Sequence, residues 1–263
     1  KSVTIEPVKR KKSETEKKGA DAMKKIKVTK LIKWFIVLTM VLCICSGFVV
    51  AGKGYSMYRN ALDQMSLADK VESIQDKEHY TTFEELPEVY VNAVVSVEDH
   101  RFYNHSGIDL IAIGRAVFND LRAGRFVEGG STITQQLAKN LYFSQEKEMT
   151  RKAAEVFMAF DLERNYSKEE ILELYVNTIY YGDGYYTVAD ASEGYFGKAP
   201  EEMSKYESTL LAGIPNAPSR YAPTKNPVLA EKRQMQVLRR MEDCGYFSTE
   251  EAETVAAQMV AIN

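Results

Sequence analysis

The stretch VEDHRFYNHSG, residues 97–107, gathers Glu98, Asp99, His100, Arg101 and His105 around Phe102 and Tyr103, directly after the apolar run AVVSV. Side chains of these types could ligate a metal, move a proton or simply solvate a turn. His100 and His105 are five residues apart, which does not stack them on one helix face as the four-residue spacing of zinc helices does. The third histidine of the chain is His79, so a histidine-based zinc centre is poorly supplied. An acid–base role suits Glu98 better. An apolar run leading into Glu-Asp sets the carboxylate at the mouth of a core, where partial burial raises its pKa. Taken alone, the stretch still reads more simply as a polar surface turn.

Two further stretches could handle an anion. In EGGSTITQQLAKN, residues 128–140, Gly129 and Gly130 precede a helix start and free backbone N–H groups to face a negative group. Thr132, Gln136 and Lys139 then fall roughly on one helix face. The pattern is not that of a nucleotide-binding loop, and an ordinary capped helix would look the same. In RKAAE, Arg151 and Glu155 are four apart and Lys152 and Glu155 three apart. An ordinary helical ion pair explains that spacing. So does a carboxylate framed by cations that hold a diphosphate, with or without a divalent metal.

The elements that must position these residues read as helix after helix, and the class is mainly α. IDLIAIGRAVFNDLRAG carries Leu110, Ile113, Val117 and Leu121 on one stripe and stops at Gly124. TRKAAEVFMAFDLERN aligns Ala153, Val156, Phe157 and Phe160. SKEEILELYVNTIYYG opens on a capping box, Ser167 to Glu170, and ends at Gly182. MSKYESTLLAGIP repeats the device with Ser204 and Glu207. NPVLAEKRQMQVLRRMEDCG has Asn226 as cap, Pro227 in the first turn and Gly245 as stop. STEEAETVAAQMV closes the chain as an amphipathic helix. Short strands could pair around Arg125–Val127.

Charge divides the chain in two. Residues 1–33 hold 12 Lys/Arg and 4 Asp/Glu, a net of +8, and the rest nets −11. Between them WFIVLTMVLCICSGFVVAG, Trp34–Gly52, carries no charge and is long enough to cross a bilayer with its flanks. The expected organisation is a basic, disordered cytoplasmic tail over 1–30, a membrane helix over 31–52, a polar linker or stem helix over 53–82 and a globular domain over 83–263. The Lys-rich flank stays cytoplasmic by the positive-inside rule, placing the domain outside the cell membrane. Beside an anchor, the basic tail is read as attracted to anionic lipid and not to nucleic acid. Cys43, Cys45 and Cys244 offer neither an extracellular disulfide pair nor a cysteine zinc site.

Taken together, EDHRFYNHSG, GGSTITQQLAKN, RKAAE, KEEILELYVNTIYYGDG and LLAGIPNAPSRYAPTKNP, in this order over about residues 83–227, resemble the peptidoglycan glycosyltransferases, the lysozyme-like family that polymerises lipid II. The resemblance implies a two-lobed, lysozyme-like transferase domain behind one transmembrane helix, with a small membrane-proximal lobe at about 106–145 partly embedded in the outer leaflet. It implies transfer with inversion from a glycan on a polyprenyl diphosphate to the 4-hydroxyl of lipid II. Glu98 matches the base, and Glu155 the second carboxylate, acting beside the diphosphate or through Mg²⁺ or Mn²⁺. Lys139, Arg151 and Lys152 match the groups that neutralise the leaving group. Thr132, Gln136, Asp99 and His105 match polar contacts of the cleft. Lys147 stands where many relatives have arginine, keeping the charge and losing the bidentate fork. SQEK, Ser144–Lys147, satisfies the first transpeptidase motif, but K-T-G is absent, so a monofunctional enzyme is expected, with other wall-synthesis proteins as partners. The competing classes are a lytic hydrolase on the same fold and a non-enzymatic, membrane-tethered wall binder. Neither needs carboxylates framed by cations.

Overall fold

The computed structural model describes residues 14–125, 129–143 and 148–261. Among them every regular element is helical, and only isolated bridges join Ser106 to Ile108 and Gly182 to Tyr185. Phe126 and Val127, expected to pair as strand, lie outside the described residues, as do Glu128, Lys147 and the rest of SQEK.

The chain divides into two units, residues 1–50 and 51–263. The first is dominated by α1 (Glu14–Gln64), which begins inside the stretch expected to be disordered. Lysine, glutamate and alanine all favour helix there. From Leu31 to Val49 no side chain is buried by protein, and one stretch of α1 is long and apolar enough to cross a membrane. A fully apolar, protein-naked helix is stable in lipid, where all its backbone bonds are internal.

The second unit corrects the expected linker. Residues 53–82 contribute to its core: Tyr58 from the end of α1 is buried, as are Leu67, Val71 and Ile74 of α2 (Leu67–Gln75). That spacing is a helical stripe hidden in a polar background. α3 (Glu88–Glu98) is buried over Tyr90, Val91 and Ala93–Ser96, and it ends on the acidic pair. It packs against α9 (Lys205–Gly213) and α11 (Pro227–Asp243).

α5 (Ile133–Tyr142) packs on α6 (Met149–Asn165) and α7 (Lys168–Val176). The capping boxes of α7 and α9 form as expected. α7 stops short of Gly182 because Asn177 turns its side chain onto the chain, donating to Thr81 O at 2.7 Å and accepting from Thr81 N at 3.0 Å. α8 (Val188–Phe196), α10 (Pro218–Tyr221) and α12 (Thr249–Ala261) complete the unit.

Two expected stripes come out differently. On α6 the buried residues are Ala154, Glu155, Met158, Ala159 and Leu162, one position away from the expected face. A charged residue therefore sits on the core stripe. On α4 (Leu110–Ala123) only Ala116 is buried, while Leu110, Val117 and Leu121 are 72, 53 and 77 % exposed. That stripe covers no protein core.

α1 reaches α6 through a close contact at Gly54. A Cβ there would stand 2.5 Å from Ala153 Cβ and 3.0 Å from Thr150 O. Tyr55 and Tyr58 continue the contact against Phe157, and Tyr58 donates a hydrogen bond to Asp161. Gly54→Leu overpacks this crossing and is expected to destabilise the protein by about 1–3 kcal/mol. A thermal melt should fall by several degrees, and Ala153→Gly in the same chain should restore part of the loss.

Candidate active site

Glu98 is the last residue of α3, where the helix has run out of core to cover. Its Oε2 accepts from Gln136 Nε2 at 2.9 Å, and Arg233 Nη2 stands 3.8 Å from Oε1. Oε1 is buried and receives no hydrogen bond. The buried Tyr175 donates to Gln136 Oε1 at 3.3 Å, which turns the amide nitrogen toward Glu98. Burial pushes the Glu98 carboxyl above its ordinary value. Asp99 adds to the rise, while Gln136, Arg233 and Lys139 oppose it. The result is a carboxylate with one oxygen held and one unbonded, more basic than a surface glutamate.

Glu155 is held more closely by cations, though its Oε1 too lacks a hydrogen bond. Its side chain is 2 % exposed, with Lys152 Nζ 2.8 Å from Oε2 and Arg151 Nη1 3.4 Å from Oε1. Lys152 also donates to Ser131 Oγ at 2.7 Å, tying the cluster to the loop before α5. Lys139, on α5, feels both Glu98 and Glu155. Burial lowers its pKa, Arg151 and Lys152 lower it further, and the two carboxylates pull the other way.

A cleft of about 900 Å³ opens in front of these groups. Glu98, Asp99, Gln136 and Lys139 line it, with Ser131, Asn216, Arg233, Arg239 and Arg240 among the other walls. Arg151, Lys152 and Glu155 are not in the lining. They stand behind it, joined through Ser131 and Lys139.

Asp99, Thr132 and His105, expected as substrate contacts, make hydrogen bonds within the chain, and Asp99 also lines the cleft. Asp99 Oδ2 accepts from His105 Nε2 at 2.9 Å and from Ile133 N at 3.1 Å. Thr132 caps α5, exchanging bonds with Gln135, and donates to Gly107 O at 2.6 Å. Gly107 has φ 85° and lies 3.2 Å from the Ala159 backbone when given a Cβ, so a side chain fits neither its conformation nor its space. Arg101 holds Asp109, the cap of α4, at 2.9 Å. The first motif is thus a clasp that fixes α4, α5 and α6 around Glu98. Lys147 lies outside the described residues.

Glu155 suits Mg²⁺ or Mn²⁺ poorly. Both its oxygens already face cations, and among the described residues no three carboxylate, histidine or cysteine side chains gather as ligands. A divalent ion there would have to displace Lys152 or Arg151.

Sequence reasoning missed Arg233, Tyr175 and Ser131. The signal for Arg233 was available: KRQMQVLRR places Arg233 and Arg240 seven apart, on one face of a helix read only as scaffold.

The family model of the transglycosylases matches residues 64–242. The chain belongs to the transglycosylase family. Its transglycosylase stretch is similar to penicillin-binding protein 1F of Bacillus subtilis, 45% identical over 68% of this chain and 25% of that protein. Penicillin-binding protein 1A of Aquifex aeolicus is 46% identical over 67% and 24%. Penicillin-binding protein 2D of Bacillus subtilis is 43% identical over 68% and 26%. The chain thus spans about a quarter of the length of these relatives. The match begins at Gln64, so it takes in α2, the stretch expected to be linker.

The Gln136 hydrogen bond lowers the Glu98 pKa. Gln136→Leu removes that bond and raises the pKa further, so the Glu98 carboxyl, followed by NMR, should titrate at higher pH than in the wild type. An unmoved midpoint would show that Gln136 does not tune Glu98.

Proposed function

We propose that this chain is a peptidoglycan glycosyltransferase. It joins lipid II units into β-1,4-linked glycan on a polyprenyl diphosphate, with inversion at the anomeric carbon. The observation that carries the reading is the pairing of Glu98, buried with an unbonded oxygen, with the cation-caged Glu155 behind the same cleft. A base without cations would suit other chemistry, and a caged carboxylate without a base would only bind.

Glu98 Oε1 takes the proton of the acceptor's 4-hydroxyl as that oxygen attacks the donor's anomeric carbon. The bond from that carbon to the diphosphate breaks, and the leaving oxygen carries negative charge away. Lys139, Arg151 and Lys152 receive that charge without needing to protonate it. Glu155 keeps the three cations together in the absence of substrate, when their mutual repulsion would otherwise scatter them.

The membrane supplies the rest. The Lys-rich flank of α1 keeps the N-terminus cytoplasmic, and the catalytic unit works at the outer face. The exposed α4 residues Leu110, Ile111, Val117, Phe118 and Leu121 enter the outer leaflet, next to the cleft wall that Arg115 of the same helix provides. The lipid of the substrate then stays in the bilayer while its head group enters the cleft. Charged substitutions at Val117 and Leu121 are therefore expected to weaken liposome binding of the protein without lowering its melting temperature, because neither side chain covers core.

Glu98→Gln is the direct test. An amide cannot take the hydroxyl proton, so lipid II polymerisation should fall by about 10²–10⁴-fold. The stability sign runs the other way. A carboxyl whose folded-state pKa is raised disfavours folding above that pKa and does not below its unfolded value. Glu98→Gln should therefore melt at or above the wild-type temperature at neutral pH, with the gain vanishing in acid. Glycan chains made at the wild-type rate would remove Glu98 as base. Cleavage of preformed glycan, with no polymer from lipid II, would make the protein a hydrolase.

A further inference from the structure

α1 passes behind the cluster that the mechanism asks to receive charge. Its last turns, from Ala51 to Gln64, belong to the same compact unit as α6. Gly54 faces the first turns of α6 there. A Cβ on it would stand 2.5 Å from Ala153 Cβ, 3.0 Å from Ala154 N and 3.0 Å from Thr150 O. Two of these atoms are main chain, so one helix backbone approaches another with only a glycine between them. The contact continues along α6 through Phe157, against Tyr55 and Tyr58, to Asp161, which accepts from Tyr58.

Successive side chains of a helix turn by about 100°. Thr150, Ala153, Ala154, Phe157 and Asp161 therefore fall on one face of α6. Arg151, Lys152 and Glu155 point about 150° away from that face. α1 thus stands against the back of the turn whose front carries the cations. The front is a close fit. Lys152 Nζ bridges Glu155 Oε2 at 2.8 Å and Ser131 Oγ at 2.7 Å, and Ser131 lines the cleft. The side chain of Glu148, the N-cap of α6, makes no capping bond to this turn.

We infer that Gly54 is a positioning residue of the transfer: the closeness of α1 at this point sets where Arg151, Lys152 and Glu155 stand relative to the cleft. What the cluster does rests on the transferase reading above. Carbon atoms in ordinary contact stand about 3.5–4.0 Å apart. An alanine at position 54 therefore overlaps Ala153 by about 1 Å and displaces the first turns of α6 from α1. A shift of that size at a group that must meet a leaving group costs up to about 10²-fold in rate. Tyr58 belongs to the same interface, but its bond goes to Asp161, about 9 Å along the helix from Glu155. Loss of its hydroxyl weakens the packing and leaves the first turns of α6 in place.

The test measures polymerisation of lipid II by the full chain in detergent for wild type, Gly54→Ala, Gly54→Ala/Ala153→Gly and Tyr58→Phe, at a temperature where circular dichroism shows the proteins folded. Gly54→Ala should lower kcat by about 10–10²-fold with KM within about twofold of wild type. Ala153→Gly in the same chain should recover part of the loss. That double variant keeps the two 3.0 Å main-chain approaches, so it carries the comparison if Gly54→Ala does not fold. Tyr58→Phe should melt lower and keep kcat within about twofold. The Lys152 ammonium can be followed by ¹⁵N NMR of the lysine-labelled protein, assigned by its loss in Lys152→Arg. It should shift in Gly54→Ala and stay in Tyr58→Phe. A Gly54→Ala protein with wild-type kcat overturns the positioning role, as does a fall in kcat with the ammonium unmoved. An equal loss of kcat in Tyr58→Phe overturns it too, by marking a packing contact only, and so does a loss confined to KM. A wild-type chain that makes no polymer overturns the transferase reading instead. An ammonium that still moves in Gly54→Ala would then keep the contact and remove its catalytic meaning.

Discussion

Glu98 and Glu155 are two carboxylates taken out of water within one active region, and the difference in their partners organises everything around them. Burying a charge without a partner is costly. Glu155 meets that cost with Arg151 and Lys152, which gather around it. Glu98 is only partly compensated, by an amide hydrogen bond and a guanidinium at 3.8 Å. Oε1 lacks a hydrogen bond in both carboxylates, but the nearest cation is farther from Glu98, whose pKa is raised. One site therefore separates proton affinity from charge stabilisation, as the proposed transfer to a weak hydroxyl with a diphosphate leaving group would require. Lys139 stands between the two and responds to both.

Holding a carboxylate in that half-compensated state requires a stiff frame. The frame is the clasp of the first motif. Asp99 receives His105 and the first amide of α5, Thr132 reaches back to Gly107, and Arg101 pins the cap of α4. Every one of these bonds joins elements far apart in sequence or turns the chain sharply. The density of ionisable groups in VEDHRFYNHSG thus has two meanings. One residue faces chemistry, and its neighbours hold that residue's surroundings still. The same economy appears at Gln136, whose two amide ends are fixed by Tyr175 and Glu98.

Much of this was legible in the sequence where the physics is local. Helix starts at Ser167 and Ser204 follow from the capping box, and the charge-free run in α1 follows from composition. Glu98 as a carboxylate at the mouth of a core also followed, because an apolar run leads straight into it. What failed was long-range. Leu67, Val71 and Ile74 looked like a linker because a polar background hid their stripe. The face of α6 was misplaced by one residue because Glu155 occupies a core position that a search for apolar periodicity passes over. Arg233 could not be paired with Glu98 without knowing that α11 packs on α3. For Asp99, Thr132 and His105, read as substrate contacts, only the fold shows the partners they also have within the chain.

In the proposed mechanism Glu98 is held as a base by burial, with one oxygen unbonded. Its carboxyl can be followed directly by ¹³C NMR on the glutamate-labelled protein, with the resonance assigned by its loss in Glu98→Gln. A titration midpoint above that of an ordinary glutamate is expected, because burial outweighs Gln136, Arg233 and Lys139. A midpoint at or below the ordinary value would show a carboxylate already satisfied by its cations, and Glu98 could not then be the base.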